Sequence, residues 1–117
     1  MNLFSRFFGP SIESLGATQV HDRLAQQPKP LLLDVRQPEE YRSGHIHGAK
    51  LIPLNQLMQH QKELPRERPI ICVCRSGNRS RAATRQLVAA GFSASNLKGG
   101  IIAWQRAGLP TKKGMSK

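Results

Sequence analysis

At 117 residues the chain has room for one domain, and a chain of that size buries roughly two thirds of the surface its unfolded form exposes, enough for one core without disulfide staples. Hydrophobic residues at 38% and charged residues at 21% are ordinary for a soluble globular protein, and no apolar run approaches the ~20 residues that span a bilayer. The net charge of +11 is unevenly placed: all seven carboxylates lie in the first 67 positions, whereas ten Lys and Arg and no carboxylate follow from Arg68 onward. Such a half projects a positive field that favours anionic substrates or acidic partners, nucleic acid among them. The cations are scattered, however, with Phe92 and Trp104 as the aromatic surface among them, so a solvated basic surface that maintains solubility is the alternative.

The opening stretch carries Leu3, Phe4, Phe7 and Phe8, broken by Ser5 and Arg6 and stopped at Gly9-Pro10. It is too short for the apolar core of a secretory signal and reads as an N-terminal arm over 1–11, with a short amphipathic anchor as the alternative. The expected compartment is therefore the cytoplasm, where both cysteines stay reduced. Beyond the arm, short apolar runs alternate with helical stretches. That is the pattern of an α/β domain over 12–110, a small, mainly parallel sheet flanked by helices on both faces. Thr18 is placed to cap a helix over 19–27, with Val20 and Leu24 on its apolar face and Pro28 and Pro30 beyond its end. "LLLDV" (31–35) has the look of a strand buried on both faces. Pro38 opens a short helix that Gly44 closes.

"AKLIPL" (49–54) reads as a brief strand, and the next segment as a helix started by Asn55. "PIICVC" (69–74), the most strongly apolar segment, is the expected central strand. Ser80 to Ala90 reads as a helix with Ala83, Leu87 and Ala90 on one face, Arg81 and Arg85 on the other, and Gly91 at the stop. A last strand over 95–100 and a helix over 101–108 precede Pro110. The remainder, 111–117, reads as a disordered basic tail.

The connection after the central strand carries the chemistry. In open α/β sheets ligands bind at the carboxyl ends of the strands, and there the chain places Cys74 followed by Arg75, Ser76, Gly77, Asn78 and Arg79. Gly77 and Asn78 tolerate left-handed angles, so the loop can curl with its N–H groups inward, and a helix N-terminus behind it completes an anion cradle. A free thiol with a pKa near ~8.5 is a few per cent ionised at neutral pH, and a drop of about two units makes most of it thiolate. The competing reading is a buried structural cysteine, which suits Cys72. A disulfide between Cys72 and Cys74 would strain a strand. His45 and His47 together with the C-x-C pair make no complete zinc set, so no metal site is expected and "SGHIHGA" reads as a structured turn.

Several parts of the sequence stand in a family order: Asp34-Val35-Arg36, Glu40-Tyr41, Gly44-His45-Ile46, Gly48-Ala49, the cysteine loop, and Gly99-Gly100 with Trp104. Over about 12–110 the chain resembles single-domain rhodaneses, which are sulfurtransferases. The resemblance implies a small α/β fold, a cysteine that carries sulfane sulfur as a persulfide, and Cys74 to Arg79 as the active-site loop. It also implies that Asp34 and Arg36 frame that loop, a surface ion pair being the alternative. On this reading Cys74 attacks a small anionic sulfur donor such as thiosulfate, Arg75 and Arg79 attract it, and no cofactor is needed. A second reading is a sulfur-relay or binding module that docks an acidic protein or RNA (tRNA included) without significant thiosulfate turnover. Cysteine phosphatases use C-x5-R, whereas Cys74 to Arg79 is C-x4-R with Ser80 at the arginine position, which disfavours that activity.

Overall fold

The computed structural model describes residues 11–117. The arm expected over 1–11 therefore lies, but for Ser11, outside the described residues. Five strands, β1 (Glu13–Leu15), β2 (Leu31–Asp34), β3 (Lys50–Leu51), β4 (Ile70–Val73) and β5 (Ala94–Leu97), form one sheet in the order β1-β5-β4-β2-β3. Every pairing is parallel. The five α-helices are α1 (Ala17–Arg23), α2 (Pro38–Ser43), α3 (Leu57–His60), α4 (Asn78–Ala89) and α5 (Gly100–Arg106).

Alternation along the strands divides the core in two, because successive side chains point to opposite faces. Leu32, Ile71, Val73 and Leu97 meet Val20 of α1, Tyr41 of α2 and Ile101 and Trp104 of α5 on one face. Leu33, Ile70, Cys72 and Cys74 meet Leu57 of α3 and Ala83 and Leu87 of α4 on the other. A sheet covered on both faces needs continuous apolar strands, and β2 and β4 supply them. The α/β architecture with helices on both faces is thus the one expected, and β4 is the central strand.

Local boundaries differ in ways that have physical causes. Strand β1 has no sequence signature: it is three residues long and buries Leu15 alone. Because β1 ends at Leu15, Gly16 rather than Thr18 caps α1, and the Gly16 amide donates to Gln19 Oε1 at 2.8 Å. The strand expected over 49–54 keeps two ladder residues, since Pro53 has no N–H to donate. Yet the amides of Ile52 and Leu54 still donate to the carbonyls of Asp34 and Val35 at 2.9 and 3.0 Å.

The helix expected from Asn55 is broken into a 3₁₀ turn (Leu54–Gln56), α3, and a second 3₁₀ turn (Gln61–Glu63). Leu57 and Leu64 are its deeply buried anchors, too few to hold a continuous helix. Residues 111–117, expected to be a disordered tail, fold back instead. His45 and Lys112 exchange backbone hydrogen bonds of 2.9 and 2.8 Å, and the Gly114 amide donates to Arg42 O at 2.9 Å. The fully buried His45 ring stacks on Tyr41 at 3.7 Å between centroids and holds Nε2 2.9 Å from Ser116 O. No helix among the described residues is long and apolar enough to cross a membrane.

Candidate active site

Strand β4 ends at Val73, and the next residue, Cys74, is 1% exposed. The strand's period of two puts Cys72 and Cys74 on the same face, beneath α4. Helix α4 begins at Asn78, two residues before the expected Ser80, with Gly77 as its cap at φ +110°. The connection proper is therefore Arg75–Gly77, and Asn78 and Arg79 belong to the first helical turn. That early start aims the helix N-terminus at the sulfur. The Gly77 amide donates to Cys74 Sγ at 3.0 Å and the Ser80 hydroxyl reaches it at 3.3 Å.

These donors decide the thiol's acidity. Burial pushes the Cys74 pKa up, but the Ser80 hydroxyl and the amides of Ser80, Gly77 and Ser76 outweigh it, and the net shift is downward. Cys72, two residues earlier, is pushed up to about 12, chiefly by burial. Two cysteines separated by one residue thus have their acidities shifted in opposite directions.

The cradle is held open from behind by α5. The amides of Ile101 and Ile102 donate to the carbonyls of Cys74 and Arg75 at 2.9 and 3.1 Å. A peptide plane points its C=O and its following N–H in opposite directions, so drawing these carbonyls towards α5 turns the amides of Arg75 and Ser76 the other way. The contact is close: a Cβ on Gly100, whose φ is +60°, would lie 2.4 Å from both the Cys74 and the Arg75 carbonyl oxygens. Glycine there is a steric requirement.

The charged residues predicted to serve the loop sort into two pairs and one cation outside them. Asp34 and Arg36 are 0% and 4% exposed, so they form a buried pair, not a surface one. Arg36 Nε and Nη2 donate to the carboxylate at 2.9 and 2.8 Å, and Nη2 also donates to Gly44 O at 2.8 Å. The pair ties the end of β2 to the end of α2. Arg79 donates through both terminal nitrogens to Glu40 at 2.7 and 2.8 Å, and this bidentate clamp holds the Glu40 pKa down at about 2. Its charge is thereby paired with Glu40 rather than free in the loop. Arg75 is exposed and takes part in none of the ion pairs among the described residues. It lines a cavity of about 310 Å³ together with Arg36, Glu40, Gly44, Ile101 and Gln105.

The structure brings Cys74, Arg75, Ser76, Gly77, Asn78 and Arg79 to one sheet edge, with Asp34 and Arg36 on the neighbouring strand and just beyond it. Ser80, Glu40 and Gly100 complete the arrangement, and their roles depend on contacts across the fold that no local motif displays. Among the described residues no group of three or more His, Cys, Asp or Glu is placed to hold a metal ion.

The rhodanese-like domain family model matches residues 16–107. The chain is 37% identical to a sulfurtransferase of Allochromatium vinosum over 85% of its own length and 94% of that protein's. It is 38% identical to the chloroplastic thiosulfate sulfurtransferase 16 of Arabidopsis thaliana, covering 85% and 92%. It also matches the probable adenylyltransferase/sulfurtransferase MoeZ of Mycobacterium tuberculosis at 38% identity, spanning 24% of that longer protein. Among solved structures, a rhodanese-related protein of Thermoplasma volcanium superposes with a TM-score of 0.80 at 31% identity, covering 86% of this chain and 97% of that one. With a cysteine cradled at the carboxyl end of the central parallel strand, and a family match that runs from the cap of α1 to the end of α5, the chain belongs to the rhodanese-like domain family.

Proposed function

We propose that the chain is a cytoplasmic sulfurtransferase that carries sulfane sulfur as a persulfide on Cys74, with thiosulfate or a related small anion as donor. The observation that carries this reading is the seat of Cys74 Sγ at the start of α4, where the Gly77 amide donates to it at 3.0 Å and the Ser80 hydroxyl stands within reach at 3.3 Å. The Cys74 thiolate attacks the outer sulfur of thiosulfate, a new S–S bond forms, the donor's S–S bond breaks, and sulfite leaves with the electron pair. The cradle of N–H groups at the start of α4 then stabilises the persulfide anion. An acceptor nucleophile (a thiol, or cyanide giving thiocyanate) takes the terminal sulfur and returns Cys74 to thiolate. Sulfur transfer of this kind balances without an outside oxidant or reductant, so no cofactor is required. Arg75 supplies the long-range attraction for the donor.

Intact-protein and peptide mass spectrometry after incubation with thiosulfate tests the proposal. A gain of one sulfur atom at Cys74, lost on adding cyanide, is expected. Cys74→Ser abolishes the gain and Cys72→Ser retains it; sulfur on Cys72, or none, would refute the assignment. A second reading, a relay module that passes sulfur to an acidic protein or RNA, is favoured by the ten cations between Arg68 and Lys117, with no carboxylate among them. Its mark is transfer to a macromolecular acceptor that outpaces transfer to cyanide and falls steeply with salt.

A further inference from the structure

Behind Cys74 a chain of polar side chains crosses the sheet edge. The ladder register sets Ser14 of β1 beside Asn96 of β5, and Asn96 beside Cys72 of β4. Asn96 is 0% exposed. The Ser80 hydroxyl lies 2.6 Å from Asn96 Oδ1 and 3.3 Å from Cys74 Sγ, and Asn96 Nδ2 donates to Ser14 Oγ at 3.3 Å. Gly77 O, at 3.2 Å, is a further acceptor for the same hydroxyl. Ser80 has one proton for three acceptors, and the short contact gives it to Asn96. In that arrangement the serine oxygen faces Cys74 with lone pairs, which suits a thiol that donates its own S–H.

A thiolate needs the opposite polarity. The Ser80 proton must turn to Sγ, and the serine oxygen then calls for a donor from its other side. A carboxamide provides one by turning over: Nδ2 then donates to Ser80 Oγ while Oδ1 accepts from the Ser14 hydroxyl. We propose that Asn96 is a positioning residue for Cys74, whose carboxamide reverses the hydrogen-bond chain Ser14–Asn96–Ser80 and so lets Ser80 serve both the thiol and the thiolate. Asparagine suits this position because it both accepts and donates; a side chain that only accepts, or does neither, leaves the serine oxygen unpartnered whenever Cys74 is anionic. The other charged and titratable groups around the sulfur are the same in every variant: Cys72 on β4, Arg75 in the loop, and the Arg79–Glu40 pair between α4 and α2. The inference rests on Cys74 being the ionising sulfur of the proposed function.

The test measures the rate of iodoacetamide alkylation at Cys74 against pH, localised by peptide mass spectrometry. The variants Asn96→Leu and Asn96→Asp keep the branching of the asparagine side chain at Cγ; the first neither donates nor accepts, and the second accepts without donating. Asn96→Leu is expected to raise the Cys74 pKa by about one unit, the tenfold loss of thiolate that one net hydrogen bond is worth, and to cause no rise in a Ser80→Ala background. If Asn96→Leu does not fold, Asn96→Asp takes its place, and its rise should exceed the rise it causes in Ser80→Ala. A wild-type value in Asn96→Leu, or equal increments with and without Ser80, would overturn the inference. A wild-type Cys74 with an ordinary thiol pKa would instead remove the activated thiolate of the proposed function.

Discussion

Substituting Gly100 by alanine probes the support behind the cysteine loop. The added Cβ meets the Cys74 and Arg75 carbonyl oxygens at 2.4 Å, and the residue must hold φ +60°. The left-handed angle costs an alanine about 1–2 kcal/mol. The clash forces α5 away from the loop and weakens the two hydrogen bonds from Ile101 and Ile102, each worth about 1 kcal/mol net. The sum is about 3–4 kcal/mol. Gly108→Ala is the matched control, because Gly108 has φ +77° and a Cβ there would find nothing within 4 Å; it should cost the backbone strain alone, about 1–2 kcal/mol. Urea unfolding measures both. Folded Gly100→Ala should also show a higher Cys74 pKa in pH-dependent alkylation, because carbonyls released from α5 no longer turn the following amides inward. Equal destabilisation of the two variants, with alkylation unchanged, would show that the close approach of α5 does not shape the loop.

Glu40→Gln tests the clamp on Arg79. The folded-state pKa of about 2 lies below the ordinary 4.5, so the stabilisation is full above pH ~5 and disappears as pH falls towards 2; because Arg79 is 37% exposed, its size is about 1 kcal/mol. Urea midpoints of wild type and variant should differ at pH 6 and converge near pH 2, and a gap independent of pH would refute the ionic origin. Arg75→Ala should raise the KM for thiosulfate several-fold and flatten its salt dependence with little change in stability, whereas Arg79→Ala should lower stability; the reverse pattern in steady-state assays and melts would exchange their roles. Neutralising the C-terminal Lys112 and Lys113 should leave transfer to cyanide nearly unchanged, because the field of an exposed charge is screened over about 8 Å, and should slow transfer to an acidic protein or RNA acceptor. Equal effects on both acceptors would remove the relay reading.

What is legible in the sequence follows from local patterning. The apolar run of β4 marks the central strand, and the glycine-containing, arginine-rich segment after it separates Cys74 from Cys72 without any knowledge of the fold. Period and composition also place α4, whose buried Ala83 and Leu87 and exposed Arg81 and Arg85 follow helical spacing. What stays hidden depends on partners distant in sequence. Strand β1 exists because it pairs with β5 from the far end of the chain, and the Lys98 amide donates to Leu15 O at 2.8 Å where the two strands end. Arg79 reads as a free cation until Glu40 is seen to hold it. Residues 111–117 look like an unstructured tail because their backbone bonds go to Arg42 and His45, and no periodicity records that.

The buried neighbour of Cys74 has a use of its own. Burial pushes its pKa up to about 12, so Cys72 stays a neutral thiol at pH 7, and it is fully enclosed between the sheet and α4. A thiol reagent reaches it when the sheet opens. Labelling of Cys72 therefore acts as a clock for opening of the sheet, running inside the same molecule as labelling of Cys74, which reports on the loop. Followed together in one time course, the two thiols separate a variant that has lost its cradle from one that has lost its fold.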